Sequence, residues 1–187
     1  MAHILGLRYR GLCPGGRVQH GSAEFRSLPL EVLAATGVTG LELVLPAAAT
    51  AEEVRGLIEP HGLSAASVET TTRLEDDDIE STLETAAAKA ALARELGATY
   101  LFTSVQAGQL PRQTAYDRLR QVGDVVGKDG IFLAMETHPD LCQNAADMLE
   151  TMAGVSHPQV GINFDTANVY YYNRDMDVVA DLKRVTQ

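Results

Sequence analysis

A chain of 187 residues is long enough for one domain with a sizeable core and short for two. Its 45% hydrophobic and 21% charged residues are the composition of a soluble globular protein. A net charge of −10, without a block of lysine or arginine, argues against nucleic acid as the main partner.

The start, MAHILGLRYRGL, lacks the charged lead and unbroken apolar core of a signal peptide. No window approaches the roughly 18 apolar residues of a membrane span. Cys13 and Cys142 fit no paired or metal-finger spacing and read as reduced thiols. The expectation is a soluble, cytoplasmic protein with no membrane partner.

The first strand is expected over His3 to Tyr9, followed by a Gly-rich stretch from Gly11 to Arg26. Ser27 reads as a helix cap, with Pro29 in the first turn and Leu30, Val32 and Leu33 as the apolar stripe. Gly37 ends that helix, and Gly40 to Pro46 forms the second strand. Thr50 and Glu53 form a capping box for a helix that buries Val54, Leu57 and Ile58 and stops at Pro60 and Gly62.

Leu63 to Thr71 is the third strand. Asp76, Asp77 and Asp78 then open the longest helix, their charges suiting its positive N-terminus. It runs to about Leu96, with Ile79, Leu83, Ala87, Ala90 and Ala91 as its buried side, and Gly97 ends it. Tyr100 to Val105 is the fourth strand, and Thr114 to about Val126 a helix packed through Leu119, Val122 and Val126. The fifth strand, Ile131 to Met135, delivers Glu136. Asn144 caps a helix with Met148, Leu149 and Met152 inward. The sixth strand (Val160, Ile162, Phe164) delivers Asp165, and a last helix begins at Asp177.

Strand and helix alternate throughout with a repeat of about 25 to 35 residues, which predicts an α/β protein with a parallel sheet and no domain boundary. A doubly wound nucleotide-binding sheet should carry a phosphate turn, but GLCPGG (Gly11 to Gly16) is neither GxGxxG nor a Walker loop. A (β/α)₈ barrel places its chemistry at the carboxyl ends of its strands, where Glu136 and Asp165 fall. About six of the eight βα units of such a barrel are present in this sequence.

Glu136 and Asp165 are the strongest pair of candidates. Adjacent parallel strands lie about 4.8 Å apart, so carboxylates at both ends can converge on one cation, and oxygen donors favour Mg²⁺, Mn²⁺ or a similar divalent ion. Each acid could equally cap a following turn or helix. His138 shares the loop after Glu136 and could donate a hydrogen bond or ligate metal, and Asn168 could face the same cavity, with Asn173 a weaker candidate. Tyr170, Tyr171 and Tyr172 could wall a pocket or pack under a loop. His20, His61 and His157 suggest no chemistry, and no Ser-His-Asp or Cys-His arrangement is present.

Three stretches, ALARELGATYL (91–101), FLAMETHPDL (132–141) and VGINFDTANVYYYN (160–173), resemble the sugar phosphate isomerase/epimerase superfamily, the xylose isomerase-like barrel group. The last two are the specific ones. The resemblance runs along essentially the whole chain as a single TIM-barrel domain, 1–187, with strands seven and eight missing.

It implies a divalent ion (Mn, Mg, Co or Zn) held by Glu, Asp, His and Glu from the last four strands, with Glu136 and Asp165 matching the first two. It further implies proton transfer beside the carbonyl of a small sugar or polyol, with Glu136 as one of two catalytic glutamates, or a metal-assisted hydride shift in the isomerases. His138 and Asn168, from their own positions, are expected to bind substrate. Where the family commonly has Asp-x-x-His, this sequence reads Asp165-Thr-Ala-Asn168, and an amide is no comparable metal ligand. The expectation is therefore a partial, weakly active or inactive form of a metal-dependent isomerase or epimerase, with exposed edges at strands one and six. A homo-oligomer is left open. The alternatives are a non-catalytic sugar-binding barrel and an endonuclease IV-like abasic-site nuclease, which the net charge of −10 disfavours.

Overall fold

The computed structural model describes residues 7–10, 30–75 and 79–186. The Gly11 to Gly16 turn, the Ser27 cap, Cys13, His20 and the Asp76 to Asp78 helix start lie outside the described residues.

Six strands lie side by side in chain order, every neighbouring pair parallel: β1 (Leu7–Arg10), β2 (Gly40–Val44), β3 (Ser64–Glu69), β4 (Tyr100–Thr103), β5 (Phe132–Glu136) and β6 (Val160–Asn163). Helices α1 (Leu30–Ala35), α2 (Ala51–Ile58), α3 (Ile79–Glu95), α4 (Arg112–Gly127) and α5 (Ala145–Val155) return the chain between strands. Two more, α6 (Thr166–Tyr172) and α7 (Val178–Val185), follow β6. A short parallel ladder between Thr72–Arg73 and Val105–Gln106 lies beyond β3 and β4.

The strand order decides between the two architectures. A doubly wound sheet reverses direction at a switch point, whereas the strands of a β/α barrel follow one another around the wall. Here the order never reverses, and β1 and β6 are the two ends of the sheet, as expected from six units.

One face of this wall packs on the helices. Leu41, Leu43, Val68, Leu101, Leu133 and Met135 have no exposed surface and belong to the same core cluster as Leu119, Val122 and Val126 of α4. Burial of each such side chain is worth roughly 1.5–3 kcal/mol. The opposite face carries Tyr100 and Phe132, which are register partners with ring centroids 5.9 Å apart and are 45% and 41% exposed. Phe102, on that same face by alternation, is buried but is not part of the helix-facing cluster.

The helices follow local chemistry where it is strong. Thr50 and Glu53 form the capping box on α2, each side chain accepting the other's backbone N–H. Asn144 Oδ1 caps α5 through Ala146 N and Asp147 N, and Asp181 of α7 reaches across to accept from Ala145 N at 3.0 Å. Gly97 (φ 75°) and Gly130 (φ 71°) occupy left-handed positions at the joints into β4 and β5, where a Cβ would be strained.

Several helix expectations differ from the structure, and among them Val32 of α1 and Leu57 of α2, expected on the buried stripe, are 42% and 40% exposed. The buried side of α3 is Thr82, Ala86, Ala90 and Ala93, so of the expected residues only Ala90 is fully buried. An alanine-rich helix has a weak apolar direction, and the Thr82 hydroxyl, donating to Arg73 O, turns that side inward. On α5, Met148 is buried but Leu149 is 43% exposed, because Thr151 takes the inward position and donates to Leu141 O at 2.7 Å. Asp165, read from the sequence as opening onto a polar loop or capping a helix, is followed by α6.

Gly154 marks where α5 packs against α4. A Cβ at this position would lie 2.3 Å from Cε2 of Tyr116, a ring only 6% exposed. Alanine is better than glycine in a helix by about 1 kcal/mol, but overpacking a buried contact costs roughly 1–3 kcal/mol. Because the ring is enclosed, the clash should win. Gly154→Ala is expected to lower stability by about 1–2 kcal/mol, read as a reduced urea midpoint at unchanged slope.

Candidate active site

The carboxyl edge of β5 and β6 brings the candidate residues together. Glu136 is the last residue of β5 and pairs in register with Asn163 at the end of β6. Its side chain is 3% exposed, and Ser104, just after β4, donates its hydroxyl to Oε2 at 2.8 Å. Three adjacent strand ends therefore contribute: Ser104, Glu136 and, two residues past Asn163, Asp165.

The pivot of this edge is Thr137, which is fully buried. Its hydroxyl oxygen accepts the Asp165 N–H at 2.9 Å, and its carbonyl accepts the Asn168 Nδ2 amide at 3.0 Å. Asp165 also caps α6, with Oδ1 accepting from Ala167 N at 2.8 Å and Asn168 N at 2.9 Å. Asp165 is thus a helix cap: Oδ1 is committed to the helix, and Oδ2 has no hydrogen-bond partner among the described residues. Asn168 is brought to the same place, but its amide is spent on Thr137.

His138 stands on a braced loop. Its N–H donates to Cys142 O, and Cys142 N–H donates back to His138 O. Asp140, in a left-handed conformation (φ 80°), accepts from Ala107 N and Gly108 N at 3.1 Å each. This ties the loop to the one following Val105–Gln106. Tyr172, on α6 one turn after Asn168, places its hydroxyl 3.0 Å from His138 Nε2, and the two rings lie 5.0 Å apart. Burial raises the Tyr172 pKa, and Tyr171 and the carboxylates of Glu136 and Asp165 add to the effect. The phenol thus stays protonated at neutral pH.

The other two tyrosines do not wall this site. Tyr170 and Tyr171 are 73% and 80% exposed, and Tyr171 touches Tyr172 edge-on at 5.1 Å. Asn173 is buried and structural, donating to Gln143 O and Val169 O at 2.8 Å each and accepting from the Gln143 and Asn144 amides. His157 lies away from this edge, against Asp124 and Gln159 N. Ser104, Thr137 and the partnership of Tyr172 with His138 were not anticipated. Ser104 alone had a readable signal, a hydroxyl at a strand end equivalent to Glu136; the other two depend on residues 28 to 34 positions apart meeting.

Glu136 and the Oδ2 of Asp165 are hard oxygen donors of the kind a divalent ion takes. Among the described residues no group of three or more His, Cys, Asp and Glu could hold a metal ion. Two such carboxylates do not by themselves make a complete centre.

A model of the xylose isomerase-like TIM barrel family matches residues 30–186. The chain belongs to this family. No curated protein matches it. Among solved structures, the family member is similar to the probable 3-DHS dehydratase AsbF of Bacillus anthracis, with 21% identity and a TM-score of 0.70 over 84% of this chain and 62% of that one. A xylose isomerase-like TIM barrel protein from Mycobacterium smegmatis in complex with magnesium is 24% identical, with a TM-score of 0.68 over 83% and 61%. The D-allulose 3-epimerase from Methylomonas sp. in complex with D-allulose is 18% identical, with a TM-score of 0.67 over 83% and 62%. The chain thus spans about three-fifths of the length of these relatives, and at these identities the likeness shows the fold. No described helix is long and apolar enough to cross a membrane.

Cys142 lies in the His138 loop. It is 2% exposed, and burial, with a smaller contribution from Asp147, pushes its thiol up to about 12. Alkylation needs the thiolate. Iodoacetamide at about pH 8 is therefore expected to leave Cys142 unmodified in the folded protein and to label it in urea, read by peptide mass spectrometry. Labelling at equal rates in both states would contradict the burial.

Proposed function

We propose that this chain supplies the proton-transfer part of a sugar isomerase or epimerase, acting on a small sugar or polyol with a divalent ion. The observation that carries the reading is the placement of a buried, Ser104-held Glu136 and of Asp165 at neighbouring strand ends. Epimerases and a magnesium-bound protein among the structural relatives support it.

Glu136 would take the proton from the carbon beside the substrate carbonyl. The C–H bond breaks, its electron pair moves toward the carbonyl oxygen to give an enediolate, and the proton resides on Glu136. Ser104 holds that carboxylate in one orientation, and its enclosure slows loss of the proton to water. Return of a proton to the same carbon or its neighbour decides between epimer and isomer. In the family resemblance a second glutamate, on strand eight, shares this task. His138, and Asn168 through its carbonyl oxygen, which has no hydrogen-bond partner among the described residues, would hydrogen-bond sugar hydroxyls. Glu136 and Asp165 Oδ2 would be two ligands of the ion, whose chemistry when bound is to polarise the carbonyl oxygen.

The capping role of Asp165 and the amide of Asn168 spent on Thr137 favour a second reading, a sugar-binding barrel without metal. Metal analysis with a ketose panel, on the protein from its complete reading frame, separates the two. Bound divalent ion with turnover that EDTA abolishes supports the enzyme. Sugar affinity unchanged by EDTA, with no turnover, supports the binding barrel.

A further inference from the structure

The His138 ring has two nitrogens, and the structure treats them differently. Nε2 meets the Tyr172 hydroxyl at 3.0 Å, while Nδ1 has no hydrogen bond among the described residues. Which nitrogen carries the proton in a neutral imidazole is set by the partner of the other.

Everything around this contact is fastened. The loop 138–142 is closed by its reciprocal backbone bonds and tied down through Asp140. Helix α6 is pinned to residues 137–144 at three points: Asp165 and Asn168 on Thr137, Tyr172 on His138, and Asn173 on Gln143 and Asn144. A ring contact at 5.0 Å, tilted by 53°, adds a packing restraint, and the Tyr171 ring touches Tyr172 edge-on. Tyr172 can therefore set the orientation of His138, two residues after Glu136.

We infer that Tyr172 is a positioning residue, whose hydroxyl donates to His138 Nε2 so that the ring presents Nδ1–H as a donor to a substrate oxygen. Nδ1–H can donate to a sugar hydroxyl or carbonyl oxygen, whereas the opposite tautomer would present only an acceptor there. This rests on the sugar isomerase or epimerase reading for the identity of the oxygen, but not for the tautomer. The protonated phenol, which burial favours, is the form able to donate.

The test is long-range nitrogen–proton correlation NMR on histidine-labelled protein, wild type against Tyr172→Phe. The phenyl ring keeps the packing on His138 and Tyr171, so the variant should fold, as melting temperature will check. The expected result is the Nδ1–H tautomer for His138 in the wild type and an exchanging mixture in Tyr172→Phe. An Nε2–H tautomer in the wild type, or the same tautomer in both proteins, overturns the inference.

A second arm uses turnover of the full-length protein. Tyr172→Phe should lower kcat/KM by about tenfold, the loss expected of one hydrogen bond, and should add nothing further in a His138→Ala background. Additive losses would mean that Tyr172 does not act through His138, and would overturn the proposal. Absence of sugar turnover in the unsubstituted protein would instead remove the functional reading, and the tautomer measurement would still decide the role of Tyr172.

Discussion

Glu136→Gln is expected to reduce sugar isomerisation or epimerisation on the order of 10³-fold in the full-length protein, within the usual range for loss of a general base. Glutamine is nearly the same shape as glutamate, and the Ser104 hydroxyl, which donates to Oε2 at 2.8 Å, can donate equally to an amide oxygen. The fold should therefore survive while the proton acceptor is gone. The discriminating measurement is wash-in of solvent deuterium at the substrate carbon beside the carbonyl, followed by NMR, alongside product formation. Both should fall together if Glu136 takes that proton. Metal content should be measured in parallel, because the same carboxylate is a candidate ligand. Wash-in lowered by less than tenfold, in a variant with wild-type melting behaviour, would remove Glu136 from the proton-transfer role.

Asn173→Asp should produce the largest loss of stability for a change of one atom, about 3 kcal/mol near neutral pH, as when a buried group loses its partner and keeps a charge. Asn173 is 8% exposed, and its Nδ2 donates to two carbonyls, Gln143 O and Val169 O, at 2.8 Å each. Aspartate replaces that donor with an oxygen facing two others. Its Oδ1 can still accept from the Gln143 and Asn144 amides, so half of the network stays intact.

The sign with pH follows from linkage. Burial and the facing carbonyls raise the folded pKa of the new carboxyl above its unfolded value of about 3.9, so the native state binds more protons in the window between the two. Stability relative to wild type should therefore be best below about pH 4 and fall as pH rises through that window. Urea unfolding of both proteins at acid and neutral pH measures it. A difference between variant and wild type that does not depend on pH would show that Asn173 is not enclosed as described.

Strand-end acids are local signals. Glu136 and Asp165 each follow an apolar run, and a strand of that composition must end where charge and polar residues begin, so both could be read as edge residues without a structure. Asn144 as a cap and the Thr50–Glu53 box were legible for the same reason, since each is satisfied within three residues. The inward side of α3 was not, because alanine gives almost no apolar direction and the choice falls to Thr82 meeting Arg73. Helix α6 is not specified locally, because aspartate before a tyrosine run suits a loop as well as a capped helix. Docking on Thr137 and Gln143 decides in favour of the helix.

By itself, the amino-acid order determined the alternation of strand and helix, the six parallel strands, the family, and the two carboxylates at strand ends. These rest on periodicity, caps and composition within a few residues. Only the tertiary structure decided that the strands run around a wall without reversing and that Glu136 is held by Ser104. The same holds for Asp165 and Asn168 meeting at Thr137, and for the pairing of His138 with Tyr172. Each of these site contacts joins groups 28 to 34 residues apart and exists only because β4, β5 and β6 pair in one particular register, which no local pattern specifies.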